Sequence, residues 1–106
     1  MEKINFIDFP SFRQTVLLDE VNYVLKFDWN SRYNFWALSF YDILFNPIVL
    51  GIKIVLNYEL INKFNAYDMP QGLMYAVDPN DNFDPIEKDD FINGRVSLIY
   101  IPESDV

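Results

Sequence analysis

The chain contains no cysteine and no histidine among its 106 residues. The first absence removes disulfides, thiolate metal sites and cysteine nucleophiles, and argues against a small secreted scaffold held by disulfides. The second removes Ser-His-Asp catalysis and the usual catalytic zinc. Cations are scarce: 8 Lys and Arg stand against 16 Asp and Glu, a net charge of −8. A nucleic-acid partner calls for a basic footprint that displaces phosphate counterions, so none is expected. No apolar run approaches the ~18 residues of a membrane-spanning helix, so no membrane partner is expected either. The opening stretch MEKINFIDFP carries acids and a proline where a signal peptide has an apolar run. The expectation is a protein made in a reducing cytoplasm.

What the chain does have is apolar surface. Hydrophobic residues make up 51% and aromatic residues 18% of the sequence. That is enough to build a core in one domain, residues 1–106, and it speaks against disorder. Tyr, Trp and Phe beyond the needs of a core also suit a protein interface.

The dominant period is two. In NYVLKFDW, Tyr23, Leu25, Phe27 and Trp29 fall on one face, and Val24, Lys26 and Asp28 on the other. That pattern predicts a half-buried strand. NSRY follows as a turn. NFWALSFYD then sets Trp36, Leu38 and Phe40 against Phe35, Ala37, Ser39 and Tyr41. The two runs are expected to pair as an antiparallel hairpin. The second has two largely apolar faces, which places it centrally in a sheet or at an interface. After the FNP turn, residues 48–57 read as the longest strand, with Gly51 marking a bulge or a close backbone approach. Arg13–Leu18 reads as a shorter strand ending in a turn at Asp19-Glu20. Residues 58–72 break the alternation and predict a short helix or a packed loop, stopped by Pro70 and Gly72. LMYAVD and GRVSLIYIP supply two closing strands. The sum predicts an all-β fold, a small antiparallel β-sandwich or partly open barrel of six to seven strands with one short helical turn.

DPNDNFDPIEKD, residues 78–89, puts Asp78, Asn80, Asn82 and Asp84 at positions 1, 3, 5 and 7 of a calcium loop. These four are weak candidate metal ligands. Position 6 is Phe83 where an EF-hand needs Gly, position 9 is Ile86, and position 12 is Asp89 in place of a bidentate Glu. The flanks read as strands. The simpler reading is an exposed connector whose Asp and Asn side chains close turns. Asp89 and Asp90 are adjacent, so on a strand they would face opposite ways. No paired-carboxylate chemistry is expected from them, no enzyme is expected, and no cofactor is called for. The aromatic faces leave open a carbohydrate-stacking module using Trp29, Trp36 or the tyrosines. The acidic loop leaves open a calcium-stabilised module.

Four stretches, in order, carry a family resemblance: FPS at 9–11, WALSFYD at 36–42, PIVLGIKIVLN at 47–57, and DDFINGRVSLIYIPE at 89–103. Their succession resembles the small baseplate plug proteins of contractile-tailed bacteriophages over about residues 6–103. The resemblance implies a structural protein of the virion tail baseplate, with no cofactor and no catalytic residues. It would pack against hub, tube-initiator or spike proteins, and against copies of itself in an assembled ring. Phe35, Trp36, Tyr41, Asp90, Arg95 and Tyr100 are the candidate interface residues, with Arg95 expected to pair with Asp90 or with a partner's carboxylate. The stretch 79–88 lies outside the pattern that carries the resemblance.

Overall fold

The computed structural model describes residues 2–64 and 68–106. Its elements are β1 (Glu2–Ile4), β2 (Ser11–Leu18), β3 (Val21–Asn30), β4 (Phe35–Tyr41), β5 (Pro47–Lys53), β6 (Leu73–Val77), β7 (Ser97–Ile101) and a 3₁₀ turn at Glu103–Asp105. The strands form two antiparallel sheets, β2-β3-β4-β5 and β1-β7-β6. Neither closes into a barrel.

The period-two runs behave as their patterns require. Leu25 and Phe27 of β3 pair with Phe40 and Leu38 of β4, and all four are fully buried on the inner face. Met74, Ala76, Leu98 and Tyr100 bring the small sheet into the same core cluster. β2 meets β3 through a two-residue turn, in which Asp19 (φ 50°) and Glu20 (φ 66°) both take left-handed backbone. A turn of that kind matches the twist of the flanking strands. β4 lies inside its sheet, as its two apolar faces predict.

The structure departs from the sequence reading at several places. β1 is an added strand, too short to show a period. β2 begins two residues early, at Ser11. β5 stops at Lys53 instead of reaching 57. Its register against β4 shifts between Leu38 and Phe40, where Gly51 sits at φ 73° and donates its N–H to Ser39 Oγ at 3.0 Å. The bulge turns Leu50 outward. Residues 54–57 then cross from one sheet to the other. The Ile54 N–H reaches the Trp36 carbonyl, the Asn57 N–H reaches the Ala76 carbonyl, and Leu56 bridges Ala76 in parallel. Ile54 and Leu56 stay buried throughout, which is why the alternation looked like one long strand. Of the two forms open to 58–72, the packed loop is found: Leu60 and Ile61 are buried, and a turn closes from the Phe64 N–H to the Ile61 carbonyl. Residues 65–67 of that stretch lie outside the described residues.

One buried phenol ties the two sheets. Tyr100 Oη, on β7, donates to Asp19 Oδ2 at 2.5 Å in the β2–β3 turn and accepts the Gly72 N–H at 2.9 Å. Asp19 Oδ2 also accepts the Glu103 N–H at 3.1 Å. Burial, reinforced by the bond to Asp19, holds the phenol proton well above the usual tyrosine range, so the group stays a donor. A Cβ at Gly72 would lie 2.1 Å from the Ile101 carbonyl oxygen and 2.6 Å from Tyr100 Oη. Backbone cannot yield there as a side chain can. Tyr100→Phe should therefore cost about 1–3 kcal/mol in urea unfolding, because Gly72 and Asp19 both lose a partner. Gly72→Ala should cost more than Tyr100→Phe in the same assay.

Candidate interaction surfaces

Arg95 organises the connector between β6 and β7. Its Nη1 donates to Asp90 Oδ2 at 2.6 Å and to the Pro85 carbonyl at 3.1 Å. Its Nη2 donates to the Asp84 carbonyl at 2.7 Å, and Nε stands 3.3 Å from Asp78 Oδ2. Side chains of both acids are buried. The hydrogen bond from Arg95 to Asp90 is the main reason its guanidinium holds its proton above even the usual arginine range. Asp90 Oδ2 also accepts the Glu87 N–H at 2.6 Å.

The alternating oxygens of 78–84 have a separate explanation. Asp78 Oδ1 accepts the Asn80 N–H at 2.7 Å, and Asn82 Oδ1 accepts the Asp84 N–H at 2.9 Å. Both are turns closed by a side chain onto the backbone two residues later, which imposes a spacing of two. Asp78 then turns its second oxygen to Arg95, and Asp84 contributes its carbonyl there. Among the described residues, no group of three or more acidic side chains is placed to hold a metal ion. Asn80, Asn82 and Asp84 are exposed.

The connector is exposed over most of its length, as the sequence reading has it, but is pinned to the core at a few points. Ile86 is buried, Phe91 stacks on Phe6 at 4.0 Å and 6°, and Trp36 Nε1 donates to the Lys88 carbonyl at 3.2 Å. Residues 79–85 and 87–89 are exposed, and at the tip Phe83 is 75% exposed beside Asp81 and Asp84.

The candidate interface residues divide into two groups. Trp36 (2% exposed), Tyr100 and Asp90 are interior: Trp36 packs among Phe6, Phe12 and Trp29, and Asp90 faces Arg95. Phe35 and Tyr41 are half-buried at opposite ends of β4, on the outward face of the large sheet. Between them lie Ala37 and Ser39, and around them stand Arg13, Lys26 and Lys53 with one acid, Asp28. Arg13 lies over the Phe45 ring at 4.6 Å and Lys53 over the Phe35 ring at 5.2 Å.

Two features at the ends of β4 escaped the sequence reading. Beyond Tyr41, residues 42–46 form a tight loop around one carboxylate. Asp42 Oδ1 accepts the Leu44 and Asn46 N–H groups at 2.9 Å each, and Oδ2 accepts Asn46 Nδ2 at 3.1 Å. The Phe45 N–H reaches the Asp42 carbonyl, and Phe45 takes φ 62°, a costly conformation for a bulky residue. Its ring stacks on Tyr41 at 4.2 Å. The loop thereby presents Ile43 (64%) and Leu44 (79%) to solvent. At the Phe35 end, a groove of about 950 Å³ opens between Tyr33, Phe35, Val55 and Tyr58 on one side and Phe83 and Glu87 on the other. The Asp42–Asn46 spacing was the available signal for the loop. The groove has none, because its walls come from three distant segments.

The Asn46 N–H, with smaller help from the Asn46 amide and the Leu44 N–H, holds the Asp42 carboxyl below its ordinary range. A folded pKa below the unfolded value stabilises the loop above the unfolded pKa and is lost as pH falls through the folded one. The Leu44 and Asn46 amide signals should keep their positions from neutral pH to about pH 4 and shift only below it. Asp42→Ala should shift them at every pH.

Removing Arg95 strands two buried carboxylates. Arg95→Met should cost about 2–4 kcal/mol in chemical unfolding, below the full cost for a buried pair because the guanidinium is partly exposed. Added calcium should leave the melting midpoint unmoved, since Asp78 and the Asp84 carbonyl already serve Arg95. A clear rise at micromolar calcium would show that an ion can displace that arrangement.

Compared with known families, residues 1–103 match the profile described as the cyanophage baseplate Pam3 plug gp18. The match runs through the connector 79–88 as well as the strands. No curated protein matches the chain.

Proposed function

The chain belongs to the cyanophage baseplate plug family, and we propose that it is a structural part of a contractile-tail baseplate, seated as a plug at the central hub. The match over 103 of 106 residues carries this reading. Its chemistry is assembly. Preformed β-faces meet hub, tube-initiator or spike proteins and bury apolar side chains against them. Obligate contacts of that type are larger and more apolar than transient ones. The outward face of the large sheet supports this use, since it carries half-buried Phe35 at one end of β4 and the Val24–Tyr41 pair at the other, with Lys26, Asp28 and Ser39 between them. The excess of acid elsewhere on the chain favours solubility of the free subunit. A glycan-stacking role would fall to half-buried Trp29 or the exposed tyrosines, because the ring of Trp36 is enclosed.

Separating fold from assembly needs one interior and one surface substitution. Trp36→Ala should cost about 3–5 kcal/mol and unfold the isolated chain, a loss of stability whatever the chain binds. Phe35→Glu should leave the circular dichroism and melting of the chain close to the parent's and remove it from purified baseplates. Normal incorporation of Phe35→Glu would contradict the use of this face.

A further inference from the structure

We propose that β2 is a docking edge, on which an extended segment of a different baseplate chain adds as a fifth strand of the large sheet. The inference rests on the baseplate reading for the source of that segment, and adds where it docks and what chemistry it carries. Each sheet has two edges, and three of the four are blunted. β1 has only three residues. β5 starts at Pro47 and is interrupted by the Gly51 bulge. The edge of β6 is covered: the Asn57 and Leu60 N–H groups reach the Ala76 and Met74 carbonyls, and Glu59 Oε2 accepts the Met74 N–H at 2.9 Å. Short length, bulges, proline and cover are the means by which a sheet refuses a foreign strand. β2 uses none of them. It is eight residues long, contains no proline and pairs with β3 without a shift of register.

The pairing with β3 fixes which backbone groups of β2 are free. Leu18 and Val21 close the two-residue turn, and the Pro10 carbonyl accepts the Trp29 N–H at 2.7 Å. Bonded residues alternate along an antiparallel pair, so Phe12, Gln14, Val16 and Leu18 turn their N–H and C=O groups toward β3. Those of Arg13, Thr15 and Leu17 point away from it, and among the described residues they meet no backbone partner. Asn5 comes close, but its carbonyl takes the Gln14 side-chain amide at 2.6 Å and leaves the backbone of β2 open. Donors and acceptors repeating every ~6.8 Å along one line are complemented by another extended backbone. The inner row of side chains is incomplete in the same place. Phe12 and Val16 are half-buried, whereas Phe27 and Tyr23 opposite them, with a strand on either side, are buried.

Charge selects a different chain over a second copy of this one. Arg13 is exposed and stands directly opposite Lys26, a like-charge pair that costs stability. Lys26 has Asp28 at 3.6 Å, whereas Arg13 lies over the Phe45 ring and forms no ion pair with a carboxylate among the described residues. An Asp or Glu beside Arg13 on the added strand relieves that pair. The edges of a second copy do not bring one. β2, β5 and β6 contain no acid, and Glu2 lies in a strand of three residues. The segment that fits is extended, apolar next to Phe12 and Val16, and acidic next to Arg13. Leu17, 53% exposed, matches one further apolar residue on the outer side.

The test is incorporation of full-chain variants into purified baseplates. Thr15→Pro removes one outward N–H at a place where an edge strand accepts proline, and Thr15→Val keeps it. Thr15→Pro should melt near the parent and be lost from baseplates, while Thr15→Val should enter as the parent does. Hydrogen exchange of the parent gives a second reading that needs no variant to fold. In the free chain, the Arg13, Thr15 and Leu17 amides should exchange faster than those of Gln14 and Val16. In baseplates all five should be slow. Outward amides that stay fast in baseplates would overturn the inference and leave the baseplate reading intact. So would a folded Thr15→Pro that enters like the parent, or a Thr15→Val excluded as fully as Thr15→Pro. A parent chain absent from baseplates would overturn both. Dimers of the free chain that protect the same three amides would overturn the choice of occupant, by giving the edge to a second copy.

Discussion

The convergence of Asp78, Asp84, Pro85 and Asp90 on the Arg95 guanidinium is the constraint on which the outer architecture rests. It converts an acidic segment that would otherwise repel itself into a fixed wall. With Asp84 and Pro85 held at the guanidinium, Ile86 is directed inward and Lys88 comes within reach of the Trp36 indole. Phe91 then lies flat on Phe6 and closes that end of the core. The same fixing leaves Phe83 and Glu87 standing beside Tyr58 as the far wall of the groove. An arginine suits this role because its rigid fork can serve two carboxylates and two carbonyls at once.

A second clasp works at the other end of the molecule. Tyr100 joins β7 to the β2–β3 turn and to the backbone at Gly72, so the two sheets are tied by hydrogen bonds as well as by the shared core. Between the clasps, β4 is the mechanical centre. It contributes Leu38 and Phe40 to the interior and Phe35 and Tyr41 to the surface. With the outward face used as proposed, one strand connects stability to assembly, and substitutions on its two faces should separate the two.

The large sheet was legible in the sequence because alternation survives wherever one face is buried and the other is not. β3 and β4 fall where Tyr23 to Trp29 and Phe35 to Tyr41 placed them. β1 was not legible, since three residues show no period. The far end of the 48–57 run misled for a physical reason: Ile54 and Leu56 are buried on a crossing between sheets, and burial imitates strand alternation. The connector misled in a related way. Turns that a side chain closes onto the second residue ahead impose the same spacing as calcium ligands, and the cation that Asp78 meets is 17 residues away in the chain, where no local pattern reveals it. The 42–46 loop was read only as a turn, because the asparagine and proline of FNP announce a change of direction and not the carboxylate that organises it.

The central claim is that the connector is a built wall held by Arg95. Native-state hydrogen exchange resolved to single amides tests it most directly. The Glu87 N–H, bonded to Asp90, and the Val96 N–H, bonded to the Asp90 carbonyl, should exchange far more slowly than unstructured amides, approaching the protection of the β6–β7 ladder. Exchange of both at the rate of a free peptide, while the ladder remains protected, would contradict the account.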